Sequence, residues 1–331
     1  MMNISSNLSR EPQFLSSDNF TQILFAYGVP VICVFGIVGN IFSFRVFVFK
    51  SFRNHSSSAY IAALSVSDSC FLLSLFLSWL GNGTFGFLFS GHWCQAMIYV
   101  TSVCSFLSVW YVVLIMIDRY LVVCHSLRVP ELCTKRRANM ATLAVTTFSL
   151  LFNSHFFVTA EVHGDHCSVQ EKSSMLHVLT IFIYIDTALT FIIPFAIIFL
   201  LNTVVIISIK RFHSRHVQQR NTHLLRINTV SKAQMRITRT FTLVSIVLLI
   251  TNVPSHGIRF YIMINNLYEN QDIILVNAQQ IFQVIYYTNF AVNFLLYSAS
   301  NEKFRRYFSY KYICYNLYRR QNQSTNEHLY R

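Results

Sequence analysis

The chain has 331 residues, of which 53% are hydrophobic and only 12% charged, with a mean hydropathy of +0.44 and a net charge of +13. Soluble domains carry about a quarter charged residues, so lipid solvates much of this surface and an ordinary soluble fold is excluded. Nor does the charge mark a nucleic-acid binder: the basic residues fall between apolar stretches and after the last one, not on one soluble face.

The first 21 residues read as a polar tail without the apolar core of a cleavable signal, so the first apolar span is expected to direct insertion. Asn3, Asn7 and Asn19 each open a glycosylation acceptor pattern, and three in so short a tail place it on the secretory, extracellular side. Seven apolar segments follow, at 22–49, 58–80, 96–124, 139–160, 176–209, 241–264 and 273–300. Each is long enough for a helix to cross a ~30 Å hydrocarbon core at about 1.5 Å per residue. A spanning segment must satisfy its own backbone hydrogen bonds, which makes helices the default. The expected fold is therefore all-α: a seven-helix bundle over 22–300, flanked by an outer tail and a cytoplasmic tail at 301–331.

Charge sets the orientation. With the N-terminus outside, only Arg10, Lys172 and Arg259 of the 26 basic residues lie on the outer side. That asymmetry satisfies the positive-inside rule and predicts a multi-pass plasma-membrane protein. The loop between the fifth and sixth spans carries eight basic residues and no acid, which suits anionic inner-leaflet lipid and an acidic cytosolic partner alike. After Ser300, Phe304, Tyr307, Phe308 and Tyr312 form an apolar stripe among basic neighbours, predicting a short amphipathic helix in the interface. Cys314 behind it suits palmitoylation.

Of eight cysteines, none forms a metal-binding pair or a Cys/His cluster, which argues against zinc. Most sit inside apolar spans as small hydrophobes. Cys94 and Cys167 fall at outer-face positions, where an oxidising exterior permits a disulfide. Ionisable groups within spans are costly and mark function. Asp68 lies mid-span in the second segment. It must be protonated, paired or bound to a cation. Asp118-Arg119-Tyr120 ends the third segment, Asp186 sits near the outer end of the fifth, and Arg259 near that of the sixth. Asn40, Ser108, Asn289 and Asn293 add polar groups at middle depth, where an isolated amide or hydroxyl serves an interhelical hydrogen bond equally well.

Together these residues resemble the rhodopsin class of G-protein-coupled receptors. The resemblance rests on Gly36-x-x-Gly39-Asn40, Leu64-Ser-Val-Ser-Asp68, Asp118-Arg119-Tyr120, Pro194, Pro254 and Asn293-Phe-Leu-Leu-Tyr297, one after another on seven spans. Cys94 also stands 25 residues before Arg119, the family spacing for a disulfide to the second outer loop, which implies Cys167 as partner. Three stretches are similar to invertebrate FMRFamide-type neuropeptide receptors: the last of those motifs, Arg236-Ile-Thr-Arg-Thr240, and Asn252-Val-Pro-Ser-His-Gly-Ile-Arg259. Three features depart from the class. The fourth span lacks its usual Trp, Asn252 replaces an aromatic toggle, and Phe294 replaces the last proline, which should leave the seventh helix less kinked.

The resemblance implies that Asp118 holds Arg119 at rest, and that Arg119 meets a G protein when the inner ends of the fifth and sixth spans swing out. Tyr120, Asn293 and Tyr297 belong to the same activation machinery, and arrestin is an implied second partner. The stretch Met235–Thr240 has no acid for a second ionic latch, so elevated basal activity is expected. Asp68, Ser108, Asn289 and Asn293 resemble the family's sodium pocket, with oxygen ligands suited to a hard cation; a protonated Asp68 in a water-bridged network is the alternative. No other cofactor is expected. For the ligand, Thr101, Asp186, His256, Arg259, Gln283 and Tyr287 line the outer ends, with Trp79 and Tyr261 nearby. Thr101 stands where amine-binding relatives have an Asp. The acidic outer loops steer a basic ligand, and Arg259 suits a carbonyl or carboxylate, so a short amidated peptide is expected. Each of these residues also reads as an interfacial anchor.

The rival classes fare worse. An opsin needs a lysine where Tyr287 stands, a transporter would show repeated halves, and an enzyme would need a nucleophile–base or metal constellation. A chemosensory receptor of the same fold for a non-peptide ligand is the alternative that sequence leaves open.

Overall fold

The computed structural model describes residues 19–49, 56–83, 92–125, 128–163, 166–169, 176–218, 225–265, 273–300 and 304. Its helices are α1 (Asn19–Ile23), α2 (Val29–Phe49), α3 (Ser56–Gly83), α4 (His92–Cys124), α5 (Val129–Leu132), α6 (Lys135–Phe152), α7 (Phe156–Thr159), α8 (Leu176–Thr187), α9 (Ile193–Gln218), α10 (Leu225–Ile264) and α11 (Ile273–Ser300). A π-helical turn over Leu24–Gly28 joins α1 to α2, and another over Ala188–Ile192 joins α8 to α9. The seven spans are thus α1–α2, α3, α4, α6, α8–α9, α10 and α11.

The expected bundle is present, with different edges. The first helix starts three residues earlier than expected, at Asn19, inside what composition reads as tail. The sixth helix starts at Leu225, well before residue 241, because the basic loop continues its helical backbone as a polar extension. The fourth gives way to a 3-10 turn at Asn153–His155, and from Ala160 the chain is already strand. Strands β1 (Ala160–His163) and β2 (His166–Val169) form an antiparallel hairpin with Val162 opposite Cys167. It lies against α4 and is the one sheet among the described residues of an otherwise helical chain. The interfacial helix and Cys314 lie outside the described residues, as do Asn3 and Asn7; Phe304 is described and wholly buried.

Five of the described helices are long and apolar enough to cross a membrane by length and composition. The fourth span falls short because α6 opens on Lys135, Arg136 and Arg137. The seventh falls short because α11 carries Asn277, Gln279, Gln280, Gln283, Asn289 and Asn293. Helix α4 packs against α3, α6, α9 and α10, while α11 closes the ring between α10 and α2. Large apolar side chains such as Val31, Leu143, Phe199 and Ile250 face outward, as lipid-facing surface requires.

Inside, two apolar clusters flank a polar layer. The outer one gathers Cys33, Phe71, Leu72, Tyr286 and Phe290. The inner one gathers Phe47, Leu64, Val112, Met116, Phe241 and Tyr297. Between them lie buried Asn40, Asp68, Ser108, Asn252, Asn289 and Asn293. The first-span glycines have a packing cause: a Cβ on Gly36 would meet Ala291 Cα at 2.9 Å, and one on Gly39 would meet Phe294 Cβ at 2.8 Å. The close approach lets Asn40 Nδ2 donate to the Phe290 carbonyl at 2.8 Å. Helix α11 runs unbroken past Phe294, in keeping with the lost proline.

Candidate functional site

At the inner end, Asp118 and Arg119 are both buried, at 4% and 3% exposure, and form an ion pair. A charge pair taken out of water needs its remaining donors and acceptors satisfied. The start of α3 supplies these: Ser56 Oγ donates to Asp118 Oδ1, and Ser57 Oγ donates to Asp118 Oδ2 at 2.9 Å. The same Ser57 hydroxyl accepts from Arg119, so it bridges both charges. Cys133 lies in the turn before α6, near Asp118; burial, reinforced by the Asp118 charge, pushes its thiol up to about 11.

No acid reaches Arg119 from the sixth span among the described residues. Instead its guanidinium lies over the Phe241 ring of α10, 5.5 Å from the centroid. Phe241 in turn packs edge-on against Tyr297, whose buried hydroxyl has no hydrogen-bond partner among the described residues. Tyr120 turns away from this group and pairs its hydroxyl with His125 Nε2 at 3.3 Å. Sequence reasoning missed Ser56, Ser57, Cys133 and Phe241. Only a Ser-Ser-Ser run at the head of the second span could have hinted at the first two.

At middle depth Asp68 is fully buried. Ser108 Oγ donates to its Oδ1 and Asn293 Nδ2 to its Oδ2, each at 2.7 Å. Asn289 is buried one turn earlier on α11 but makes no bond to Asp68 among the described residues. Asn252, in place of the toggle aromatic, donates from Nδ2 to the Leu248 carbonyl at 2.7 Å, and its Oδ1 has no partner among the described residues.

Towards the outer end the aromatics shift up one turn. His256 stacks on Phe191 at 4.9 Å and meets Tyr286 edge-on at 5.8 Å. Tyr286, which the sequence reading did not single out, binds Ser105 Oγ through its hydroxyl at 2.5 Å and packs on Phe290. The π turn before α9 presents Phe191 to His256, while its Leu189 carbonyl accepts the Trp110 indole N–H at 3.0 Å; such turns cluster at functional sites.

Arg259 is exposed and donates to Gln283 Oε1 at 2.5 Å, which Ser255 also reaches at 3.4 Å. Asp186 is half-buried in the field of His155 and Arg259. Tyr287 lies beside Tyr286 and Phe71. The structure therefore brings Asp186, His256, Arg259, Gln283 and Tyr287 to one end of the bundle. Thr101 donates to the Met97 carbonyl at 2.7 Å and ties to Ser74 of α3 at 3.0 Å. Trp79 stacks on Phe76. Cys94 is disulfide-bonded, and the strand carrying Cys167 lies against the same helix, α4.

A seven-helix membrane receptor, with opposite charges at one end of the bundle and a buried charge pair at the other, is the class that this fold and site define. The family described as 7 transmembrane receptor (rhodopsin family) matches residues 39–297. The chain belongs to that family, whose members are receptors and not enzymes. It is similar to somatostatin receptor type 5 of Rattus norvegicus, 31% identical over 139 residues, covering 40% of this chain and 38% of the relative. It is also similar to somatostatin receptor type 1 of Rattus norvegicus, 23% identical over 304 residues, covering 89% and 73%. The B1 bradykinin receptor of Macaca fascicularis is 27% identical over 135 residues, covering 40% and 38%. The chain thus spans 38% of the length of the type 5 relative. The finer likeness to FMRFamide-type receptors rests on the three stretches quoted above.

Proposed function

We propose that this receptor binds a short extracellular peptide at its outer end and activates a heterotrimeric G protein at its inner end. One observation carries the reading: Asp186 and Arg259 set opposite charges at one end of the bundle, while Arg119 is paired with Asp118 and buried at the other. A peptide offers both a cation for Asp186 and carbonyls or a C-terminal amide for Arg259 and Gln283. Relatives named for somatostatin and bradykinin favour a peptide over a chemosensory ligand. Ligand at one end and G protein at the other bias a single two-state bundle, and arrestin is the expected second reader of the open inner face.

Several finer assignments belong to this reading. The protein sits in the plasma membrane with its N-terminus outside. Asn3, Asn7 and Asn19 carry glycans; Asn19 opens α1, and its partner Thr21 is buried. Cys167 is the partner of Cys94, and Cys314 takes a palmitoyl anchor. Asp68, Ser108, Asn289 and Asn293 would hold a sodium ion: the wholly buried Asp68 carboxylate is a hard donor, and Ser108 and Asn293, which here donate to it, carry oxygens that could turn to a cation. A bound cation would neutralise Asp68 and hold the third and seventh spans together.

The test is a calcium response in cells that express the receptor with a promiscuous G protein and are given a library of amidated neuropeptides. A saturable response that Arg119→Ala removes is the expected result. Silence across the library with verified surface expression would overturn the peptide and return the chemosensory ligand.

A further inference from the structure

We propose that a groove on the inner half of the bundle holds one acidic phospholipid of the inner leaflet. The groove has a volume of about 650 Å³, within the roughly 300–1,000 Å³ usual for ligand clefts. It runs between the inner ends of α2, α3 and α6, floored by Phe47 and Ala62 and walled by Lys135, Asn139, Leu143 and Thr146. Those four wall residues recur at a spacing of three or four, so they share one face of α6. That face is not the core face: Ala138 is buried, while Lys135, Asn139 and Leu143 are exposed.

The face is graded along its length. Lys135 stands at the cytoplasmic end and Asn139 follows one turn in. Deeper, the Thr146 hydroxyl is already used, donating to the Thr142 carbonyl at 2.7 Å, so only its methyl remains for a guest. From Lys135 to Thr146 the helix rises about 16 Å, close to half of a ~30 Å hydrocarbon core. The groove therefore matches one leaflet, with a charged mouth at headgroup level and an apolar wall at chain level.

Charge chooses the occupant. Lys135 is exposed and makes no ion pair with an acid among the described residues, where the single ion pair is Asp118–Arg119. Arg136 and Arg137 follow it directly. A headgroup phosphate with a further negative charge answers this mouth. A choline headgroup would set its cation beside Lys135, and a sterol would leave the lysine unanswered. The acyl chain would lie along Phe47, Ala62 and Leu143.

Native mass spectrometry of the whole receptor, released from nanodiscs of phosphatidylcholine mixed with either phosphatidylserine or cholesterol, tests the assignment. The wild type should retain phosphatidylserine in preference to the other two. Lys135→Gln should reduce that retention about fivefold, which is the roughly 1 kcal/mol of one cation at an anionic surface. Ala62→Phe, which fills the groove, should abolish it, and Arg211→Gln, a basic change outside the groove, should leave it intact. Equal losses from Lys135→Gln and Arg211→Gln would reduce the effect to diffuse surface charge. Preferential retention of cholesterol or phosphatidylcholine would likewise overturn the proposal. If Ala62→Phe does not fold, the two charge variants decide alone.

Discussion

The two ends of the bundle treat an arginine in opposite ways. Arg119 at the inner end is 3% exposed and meets a carboxylate, a bridging hydroxyl and an aromatic face. Arg259 at the outer end is exposed and holds a single amide. A buried charge must be compensated by its surroundings, and it then becomes a switch, because moving it breaks several bonds at once. An exposed charge costs the fold little and stays available to a visitor. On the proposed reading, this contrast lets one end hold a state while the other samples ligands.

The sharpest way to break this contrast is to remove the inner compensation. Asp118→Asn leaves Arg119 buried beside a neutral amide, and stripping one partner from a buried pair costs about 3–5 kcal/mol. The cost falls on the closed state, where Arg119 is buried, and not on an open state that exposes it. Ligand-free signalling should rise strongly, and the purified ligand-free receptor should unfold at a lower temperature. A variant with unchanged basal second messenger and unchanged melting would show that the pair does not hold the closed state.

A smaller effect separates the ionic part of the latch from its aromatic part. Phe241→Leu keeps an apolar group of similar reach on α10 but removes the ring under Arg119. A cation–π contact of this kind is worth about 0.5–2 kcal/mol. Basal signalling should therefore rise a fewfold, below the rise from Asp118→Asn, with Asp118 still in place. Equal effects from the two variants would mean that the sixth-span ring, and not the carboxylate, sets the resting state.

The residues at the two ends were not equally legible in the sequence. Asp118, Arg119 and Asp68 announce themselves, because charge within an apolar run is rare and expensive. The seven spans are equally plain, since lipid demands long uncharged helices. Their edges were harder, because a polar helix can continue past the membrane, as α10 does back to Leu225. Ser57 lies 61 residues from Asp118 in the chain, and no periodicity links them. Phe241 looks like one of many apolar residues until the bundle turns it beneath Arg119. The π turn at Ala188–Ile192 has no marker residue, so the stacking of Phe191 on His256 was invisible. The tie between Thr101 and Ser74 of α3 was equally hidden, because the two lie on different helices and no spacing links them.

The outer end should respond least when the receptor stands alone. Arg259→Gln and Asp186→Asn remove charges that few internal bonds depend on. An exposed change such as Arg259→Gln usually stays within about 0.5 kcal/mol, and the half-buried Asp186 sheds a desolvation cost along with its charge, so neither variant should melt earlier or signal more without ligand. The loss should appear only with ligand. A hydrogen bond to a charged group is worth about 1.5–3 kcal/mol, so each variant should weaken peptide potency about tenfold or more in a concentration–response series. Replacing the peptide's basic residue by a neutral one should then cost the wild type potency but cost Asp186→Asn little further, because the same contact cannot be lost twice. If both penalties add in full, Asp186 does not meet that residue, and the outer charges act by steering alone.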